Sequence, residues 1–112
     1  MALIVWQTKA KRHLRQIFDY YRDNASLTVA VPMRDTIIDS LECLEQFPTI
    51  GLRDDELSTP DTQYFYIIAK KNKRTYWVYY IYENGVCFIL AIWDCSMNPA
   101  KRKSCVAQRR RH

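Results

Sequence analysis

Basic side chains are concentrated in two short stretches of this chain, and these stretches have the chemistry to bind a polyanion. The first is Lys70-Lys71-Asn72-Lys73-Arg74, and the second comprises residues 101–112, KRKSCVAQRRRH. Clustered lysines and arginines bind the phosphates of nucleic acids. The candidate contacts are Lys73, Arg74, Lys101, Arg102, Lys103, Arg109, Arg110 and Arg111. The alternatives are an ordinary charged turn for the first stretch and a loose terminus for the second.

The basic character of the chain depends on its last residues. The formal net charge is +5, but residues 101–112 hold six Lys and Arg and no acid. The remaining residues carry 11 basic and 12 acidic side chains, so they are close to neutral. We therefore divide the chain into one domain at residues 1–100 and a basic tail at residues 101–112.

The cysteines do not predict a metal centre. Cys43, Cys87, Cys95 and Cys105 form no CxxC pair and have no histidine at the spacing of zinc ligands. We expect reduced thiols and no cofactor, with Cys43 and Cys87 acting as small core residues. A metal or disulfide role is the alternative. The chain has no run of about 18 apolar residues and no signal-peptide pattern, which predicts a soluble cytoplasmic protein without a membrane partner.

The elements that position these side chains centre on residues 75–99. Two runs of aromatic and β-branched residues flank Asn84-Gly85, a pair that supplies the positive φ angles of a tight hairpin turn. The pattern predicts antiparallel strands at Thr75–Tyr82 and Val86–Trp93. Apolar side chains occupy both faces of both strands, so both faces must be covered.

Strict alternation predicts which side chains of the hairpin share a face. In the first strand, Tyr76, Val78 and Tyr80 oppose Trp77, Tyr79 and Ile81. In the second strand, Cys87, Ile89, Ala91 and Trp93 oppose Val86, Phe88, Leu90 and Ile92.

Two helices and two further strands complete the prediction. The predicted elements are a strand at Leu3–Trp6, a helix at Lys9–Asp23 capped by Thr8, a helix at Leu27–Gln46 and a strand at Gln63–Ala69. Apolar residues at the helical period mark both helices. Pro32 either kinks the second helix or begins it. Residues 49–61 are predicted to be a loop.

The order is therefore β-α-α-β-β-β, an α+β fold with a small antiparallel sheet. Two successive helices form an antiparallel hairpin, which covers one face of the sheet. The sequence predicts that this chain leaves the other face uncovered.

This order and its local sequence resemble the RelE/ParE superfamily of toxins from type II toxin–antitoxin systems. The resemblance covers about residues 3–99. The matching segments are Ile4-Val5-Trp6, Ile17-Phe18-Asp19-Tyr20-Tyr21, Ile37-Ile38-Asp39-Ser40-Leu41, residues 44–51 (LEQFPTIG), residues 76–80, Glu83-Asn84-Gly85, Ile92-Trp93-Asp94 and Asn98-Pro99. It implies a small bacterial βααβββ toxin that inhibits growth and is neutralised by an antitoxin wrapped around it.

The uncovered sheet face is the predicted antitoxin surface, because open apolar surface on a soluble chain marks a partner site. The predicted partner contacts are Tyr66, Trp77, Tyr79, Ile81, Trp93 and Ser96. The alternatives are that Trp77 and Tyr79 fold under the C-terminal tail, or that the chain self-associates through them.

The superfamily contains ribosome-dependent mRNA endonucleases and inhibitors of DNA gyrase. The resemblance implies that a nuclease would carry cations at positions that hold Phe65, Ile67, Trp77 and Ser96 here. Losing even one group that stabilises the transition-state charge costs about 3 kcal/mol. The sequence therefore favours a toxin that acts by binding a target such as DNA gyrase.

Two other functions remain as hypotheses. A divergent ribosome-dependent ribonuclease would use Lys70, Lys71 and Arg74 as cations, Asp94 as a base and Tyr79 as a proton donor. The alternative for Asp94 is a turn residue at the strand end. A non-toxic homologue would serve as an antitoxin-binding or regulatory module.

Overall fold

The β4–β5 hairpin forms the centre of a five-stranded sheet in the computed structural model, which describes residues 1–107. The elements are β1 (Leu3–Trp6), α1 (Thr8–Asn24), α2 (Leu27–Asp39), β2 (Leu52–Arg53), β3 (Phe65–Lys71), β4 (Arg74–Glu83), β5 (Val86–Asp94) and α3 (Arg102–Val106). The predicted α+β class and the order of the main elements are confirmed. The structure adds the two-residue strand β2 and the short helix α3.

The strand order is β1-β5-β4-β3-β2. Strands β2 to β5 pair in antiparallel fashion, whereas β1 runs parallel to β5, with Leu3 opposite Val86 and Trp6 opposite Ile89. The sheet is therefore mixed rather than purely antiparallel. The prediction missed this because pairing between the first and last strands has no local signal in the sequence.

Both hairpin turns are tight. Asn84 and Gly85 have φ angles of 51° and 79°, which confirms the predicted turn. Asn72 and Lys73, with φ of 53° and 64°, form the second turn. The predicted charged turn is therefore shorter than expected, and Lys70, Lys71 and Arg74 belong to the strands on either side.

A β-bulge in β5 changes which side chains share a face. Tyr79 pairs with Ala91 and Tyr80 pairs with Ile89, so Leu90 is the extra residue. The predicted alternation holds for β4 but is wrong in β5 from Ala91 onward. Beyond the bulge, Ile92 joins the core under the helices, while Ala91 and Trp93 lie on the opposite face.

The two long helices cover one face of the sheet, hereafter the helix face. The predicted stripes face the core. Ala10 in α1 and Met33 and Ile37 in α2 are fully inaccessible, and the rest of the α1 stripe is partly buried. Thr8 does not cap α1; Gln7 occupies the cap position without a side-chain hydrogen bond. Pro32 lies inside α2, which begins at Leu27 as predicted.

The second helix ends earlier than its apolar pattern suggests. It stops at Asp39 rather than Gln46, and a 3-10 turn follows at Glu42–Glu45. Leu41 and Leu44 remain buried across this change. The hydrophobic stripe therefore predicted the burial correctly but not the helix type.

The cysteines differ in their surroundings. Cys87 is completely buried, as predicted for a core residue, whereas Cys43 is exposed, so its assignment to the core is wrong. Cys43 lies in the 3-10 turn rather than in a continuous helix, and its side chain is exposed there. Among residues 1–107, no helix is long and apolar enough to cross a membrane.

Candidate functional site

The sheet face opposite the helices, hereafter the second face, holds the aromatic residues that the sequence assigned to a partner. Tyr66 lies on β3, Trp77, Tyr79 and Ile81 lie on β4, and Trp93 lies on β5 after the bulge. Tyr66 and Trp77 stack with ring centroids 4.2 Å apart and planes 15° apart. These two rings remain partly exposed.

The prediction that this chain leaves the second face uncovered is wrong. Helix α3 and the loop before β3 pack on it, with Val106 and Leu57 against the aromatic cluster. Val106 is 0% exposed, and Tyr79 and Trp93 are 0% and 6% exposed. Tyr79, Trp93 and Ile81 are therefore covered by this chain itself, because α3 supplies apolar side chains that the prediction assigned to a loose tail. Their role as partner contacts stays a prediction.

A polar cluster lies beneath α3 on this face. Asp54 is 7% exposed, and its Oδ1 accepts the backbone N–H groups of Glu56 and Leu57 at 3.0 and 3.2 Å. The Tyr79 hydroxyl donates to Asp54 Oδ2 at 2.6 Å. Arg102 donates from Nη1 to Asp54 and to the Tyr79 hydroxyl, and from Nη2 to Glu56. The cluster links α3 to the sheet and to the loop.

The electrostatics of this cluster oppose acid–base catalysis. Burial and the hydrogen bond to Asp54 raise the pKa of Tyr79, so the phenol stays protonated and its hydrogen points at the carboxylate. Burial alone would lower the pKa of Arg102, but its contacts with Tyr79, Asp54 and Glu56 raise it. Arg102 is thus a permanent cation whose charge is matched by two carboxylates.

Arg102 is therefore not a free polyanion contact, contrary to its predicted role. Only 14% of its side chain is exposed, because the guanidinium is turned into the Asp54 cluster. Lys103 is half-exposed and lies 4.0 Å from Glu56, and Lys101 is exposed. The predicted contacts Arg109, Arg110 and Arg111 lie outside the described residues.

A small cavity of about 280 Å³ lies beside the aromatic stack. Its lining combines Arg53, Asp54, Asp55, Tyr66, Trp77 and Arg102. Arg53 pairs with Asp55 at 3.0 Å, so both arginines of this cavity are neutralised by neighbouring carboxylates. The cavity therefore presents arginines whose charges are paired with neighbouring carboxylates.

The predicted catalytic residues do not meet at one site. Arg74 and Asp94 line a separate, larger cavity between α1 and the sheet ends, together with Trp93 and Ser96. Tyr79 belongs to the Asp54 cluster instead. Lys70 and Lys71 line neither cavity. Asp94 Oδ1 accepts the backbone N–H and the hydroxyl of Ser96 at 2.9 and 2.7 Å, which is the role of a turn residue.

Sequence reasoning missed Asp54, Glu56 and Arg102 as one cluster. The sequence places Asp54 in the predicted loop at residues 49–61 and Arg102 in the predicted basic tail. One feature of the sequence could have indicated this cluster. Cys105 and Val106 follow Arg102 at helical spacing, and apolar residues at this spacing indicate a packed helix.

Comparisons with known proteins identify a family from the sequence and a shared fold from the structure. The sequence model for the ParE toxin of the type II toxin–antitoxin system parDE matches residues 4–99. A solved structure described as a chromosomal ParDE TA system from P. aeruginosa superposes with a TM-score of 0.66 at 18% identity. That match covers 84% of this chain and 96% of the other, so it shows a shared fold. No curated protein matches the chain.

Proposed function

The chain belongs to the ParE toxin family of type II toxin–antitoxin systems, and from this premise we propose that it acts by binding an essential target such as DNA gyrase. In this proposal, a cognate antitoxin neutralises the chain by binding directly to it. The chain acts in the cytoplasm and uses no cofactor.

The observation that carries this proposal is the neutralised arginine on the second face. Cleavage of RNA by its own 2′-hydroxyl needs cations that stabilise the developing phosphorane charge. Arg102 is already engaged by Asp54 and Glu56. Freeing it for a phosphate would leave the buried Asp54 without its charge partner, which is costly.

The four positions at which the resemblance implies basic groups in nucleases also support a binding protein. Phe65 and Ile67 belong to the core on the helix face, Trp77 stacks on Tyr66, and Ser96 caps a turn with Asp94. Each side chain has a packing or hydrogen-bonding role, so the substitutions are integrated into the fold. This supports a binding mode over a catalytic one.

The surface that we assign to protein partners lies at the β2–β3 edge of the sheet. Leu52 and Ile68 are 52% and 42% exposed. Leu52 pairs with Tyr66, and Ile68 pairs with Trp77. Together with the half-exposed aromatic stack they form an apolar patch of the kind that partners cover. Tyr66 and Trp77 thus remain candidate partner contacts.

A divergent ribonuclease is the second candidate, favoured by the β3–β4 turn. Lys70, Lys71, Lys73 and Arg74 form no ion pair with any residue between 1 and 107. Four cations without internal partners are available for a polyanion.

The deciding experiment is induced expression with and without the product of the neighbouring gene, followed by sequencing of RNA ends. We expect growth arrest that the neighbour relieves, DNA damage, and RNA ends unchanged from the uninduced culture. New RNA ends that disappear when the four turn cations are replaced by glutamine would establish the ribonuclease. Normal growth at high expression would refute both active forms and leave the non-toxic homologue.

A further inference from the structure

A second cavity lies away from the Asp54 cluster, between α1 and the ends of β4 and β5. Its volume is about 450 Å³, which lies in the usual range for small-molecule sites. Helix α1 contributes His13, Gln16, Ile17, Tyr20 and Tyr21, whose spacing places them on one helix face. The strand ends form the opposite wall.

His13 presents a hydrogen-bond donor at this cavity. Its Nδ1 accepts the backbone N–H of Ile92 at 3.0 Å. Strand β1 ends opposite Ile89, so it supplies no acceptor to this part of β5. Burial and the nearby Lys9 and Arg12 lower the pKa of His13, which keeps the imidazole neutral. Nε2 therefore carries the proton, and it has no partner within residues 1–107.

A pair of tyrosines supplies a second donor. The hydroxyls of Tyr21 and Tyr76 lie 3.0 Å apart, and both residues line the cavity. One hydrogen joins the two oxygens, which leaves the other hydrogen without a partner among the described residues. Tyr76 is only 3% exposed, so this hydroxyl pair is part of a built wall.

Asp94 and Arg74 add an acceptor and a cation. Ser96 engages only Oδ1 of Asp94, so Oδ2 has no partner in residues 1–107. Arg74 forms no ion pair within this part of the chain, with Asp94 or with any other acid. The cavity therefore offers a carboxylate oxygen, a guanidinium and two uncharged donors, surrounded by aromatic and aliphatic walls.

We propose that this cavity binds a purine nucleoside monophosphate of the guanine type. A guanine edge carries N–H donors beside a carbonyl acceptor, which matches a carboxylate beside hydroxyl and imidazole donors. Aromatic walls stack on a planar base. Arg74 pairs with the phosphate, as arginine does with phosphate oxygens. The lining includes the predicted partner contacts Trp93 and Ser96. Binding of a free nucleotide is nevertheless tested without the antitoxin, gyrase or ribosomes.

The test is a titration of the ¹⁵N-labelled chain with GMP, AMP, CMP and UMP, monitored by amide shifts and by calorimetry. We expect GMP to bind with a dissociation constant of about 1 mM or tighter. The Ile92 amide should shift, since its acceptor lies in the cavity wall. AMP should bind at least about tenfold more weakly, because an adenine edge leaves the carboxylate and the donors mismatched.

Two variants and a control assign the contacts. Asp94→Asn keeps the Oδ1 acceptor for Ser96 but turns the free oxygen into a donor, so GMP affinity should fall about tenfold or more. Arg74→Gln should weaken GMP but leave guanosine unchanged. Lys11→Gln removes an exposed charge from another face of α1 and should alter neither affinity.

Three outcomes would overturn the proposal. The first is that no nucleotide binds at about 10 mM, which is ten times the weakest expected dissociation constant. The second is equal binding of all four nucleotides, and the third is amide shifts confined to the second face. Thermal unfolding of each variant verifies that it is folded. If Asp94→Asn fails to fold, a double substitution of Tyr21→Phe with Tyr76→Phe provides a second test, because either hydroxyl alone could still donate. Unchanged GMP affinity in this double variant would then also overturn the assignment.

Discussion

Replacing Arg102 with methionine tests the link between α3 and the sheet. Methionine keeps most of the aliphatic stem and removes the guanidinium. The substitution leaves Asp54, whose side chain is 6% exposed, without its only cationic partner within residues 1–107. Tyr79 and two backbone N–H groups still donate to Asp54.

The expected loss of folding free energy follows from these contacts. Breaking a fully buried ion pair costs about 3–5 kcal/mol, whereas an exposed pair contributes about 0–1 kcal/mol. The Arg102 side chain is 14% exposed, and Asp54 keeps three other donors. Glu56 adds little because it is 61% exposed. We therefore expect Arg102→Met to destabilise the protein by about 2–3 kcal/mol.

Urea denaturation of the variants measures this loss, with Lys103→Met as the matched control on the same helix. Lys103 is 58% exposed and 4.0 Å from Glu56, so its replacement should cost less than about 0.5 kcal/mol. In an Asp54→Asn background, the cost of Arg102→Met should shrink, because the buried negative charge is gone. Equal losses for Arg102→Met and Lys103→Met, or no coupling to Asp54, would refute the reasoning.

Three further predictions concern stability. Folding lowers the pKa of His13, so the stabilisation of the fold by the neutral imidazole is complete above the unfolded pKa of about 6.5 and is lost as the pH falls towards the folded pKa. Urea midpoints measured above and below the unfolded pKa should therefore differ more in the wild type than in His13→Asn. Gly51→Ala should cost about 1–3 kcal/mol in the same assay, because the added Cβ would lie 2.7 Å from a buried tyrosine hydroxyl. Gly85→Ala is the control: its Cβ would meet no atom within 4 Å, so it should cost only about 1 kcal/mol, through the φ of +79°. Val106→Ala should cost about 2 kcal/mol, because Val106 is 0% exposed. Val5→Ala should cost clearly less, because Val5 is 41% exposed. Similar losses for the two variants would contradict the packing of α3 on the second face.

Features with a local cause could be predicted from the sequence. The Asn84-Gly85 pair determines its turn through φ, and the apolar stripes of α1 and α2 determine which helix faces are buried. The resemblance to RelE/ParE toxins rests on the order of such local elements. These parts of the prediction are confirmed because each depends on neighbours within a few residues.

Features with a long-range cause could not be predicted in this way. The bulge at Leu90 depends on how β4 and β5 pair, and it reverses the face of every residue after it. The polar cluster joins Asp54 to residues 25 and 48 positions away, Tyr79 and Arg102. No periodicity links such positions. The sequence offers packing of the C-terminal tail on Tyr79 only as an alternative, and the folded chain shows that α3 packs there.

The central claim is that this ParE-family chain acts by binding, and a supercoiling assay with purified DNA gyrase tests it most directly. We expect the purified chain to inhibit supercoiling, and the purified antitoxin to restore it when added in equal amount. The same preparation should leave ribosome-bound mRNA intact. Unimpaired supercoiling together with cleavage of mRNA on ribosomes would contradict the account.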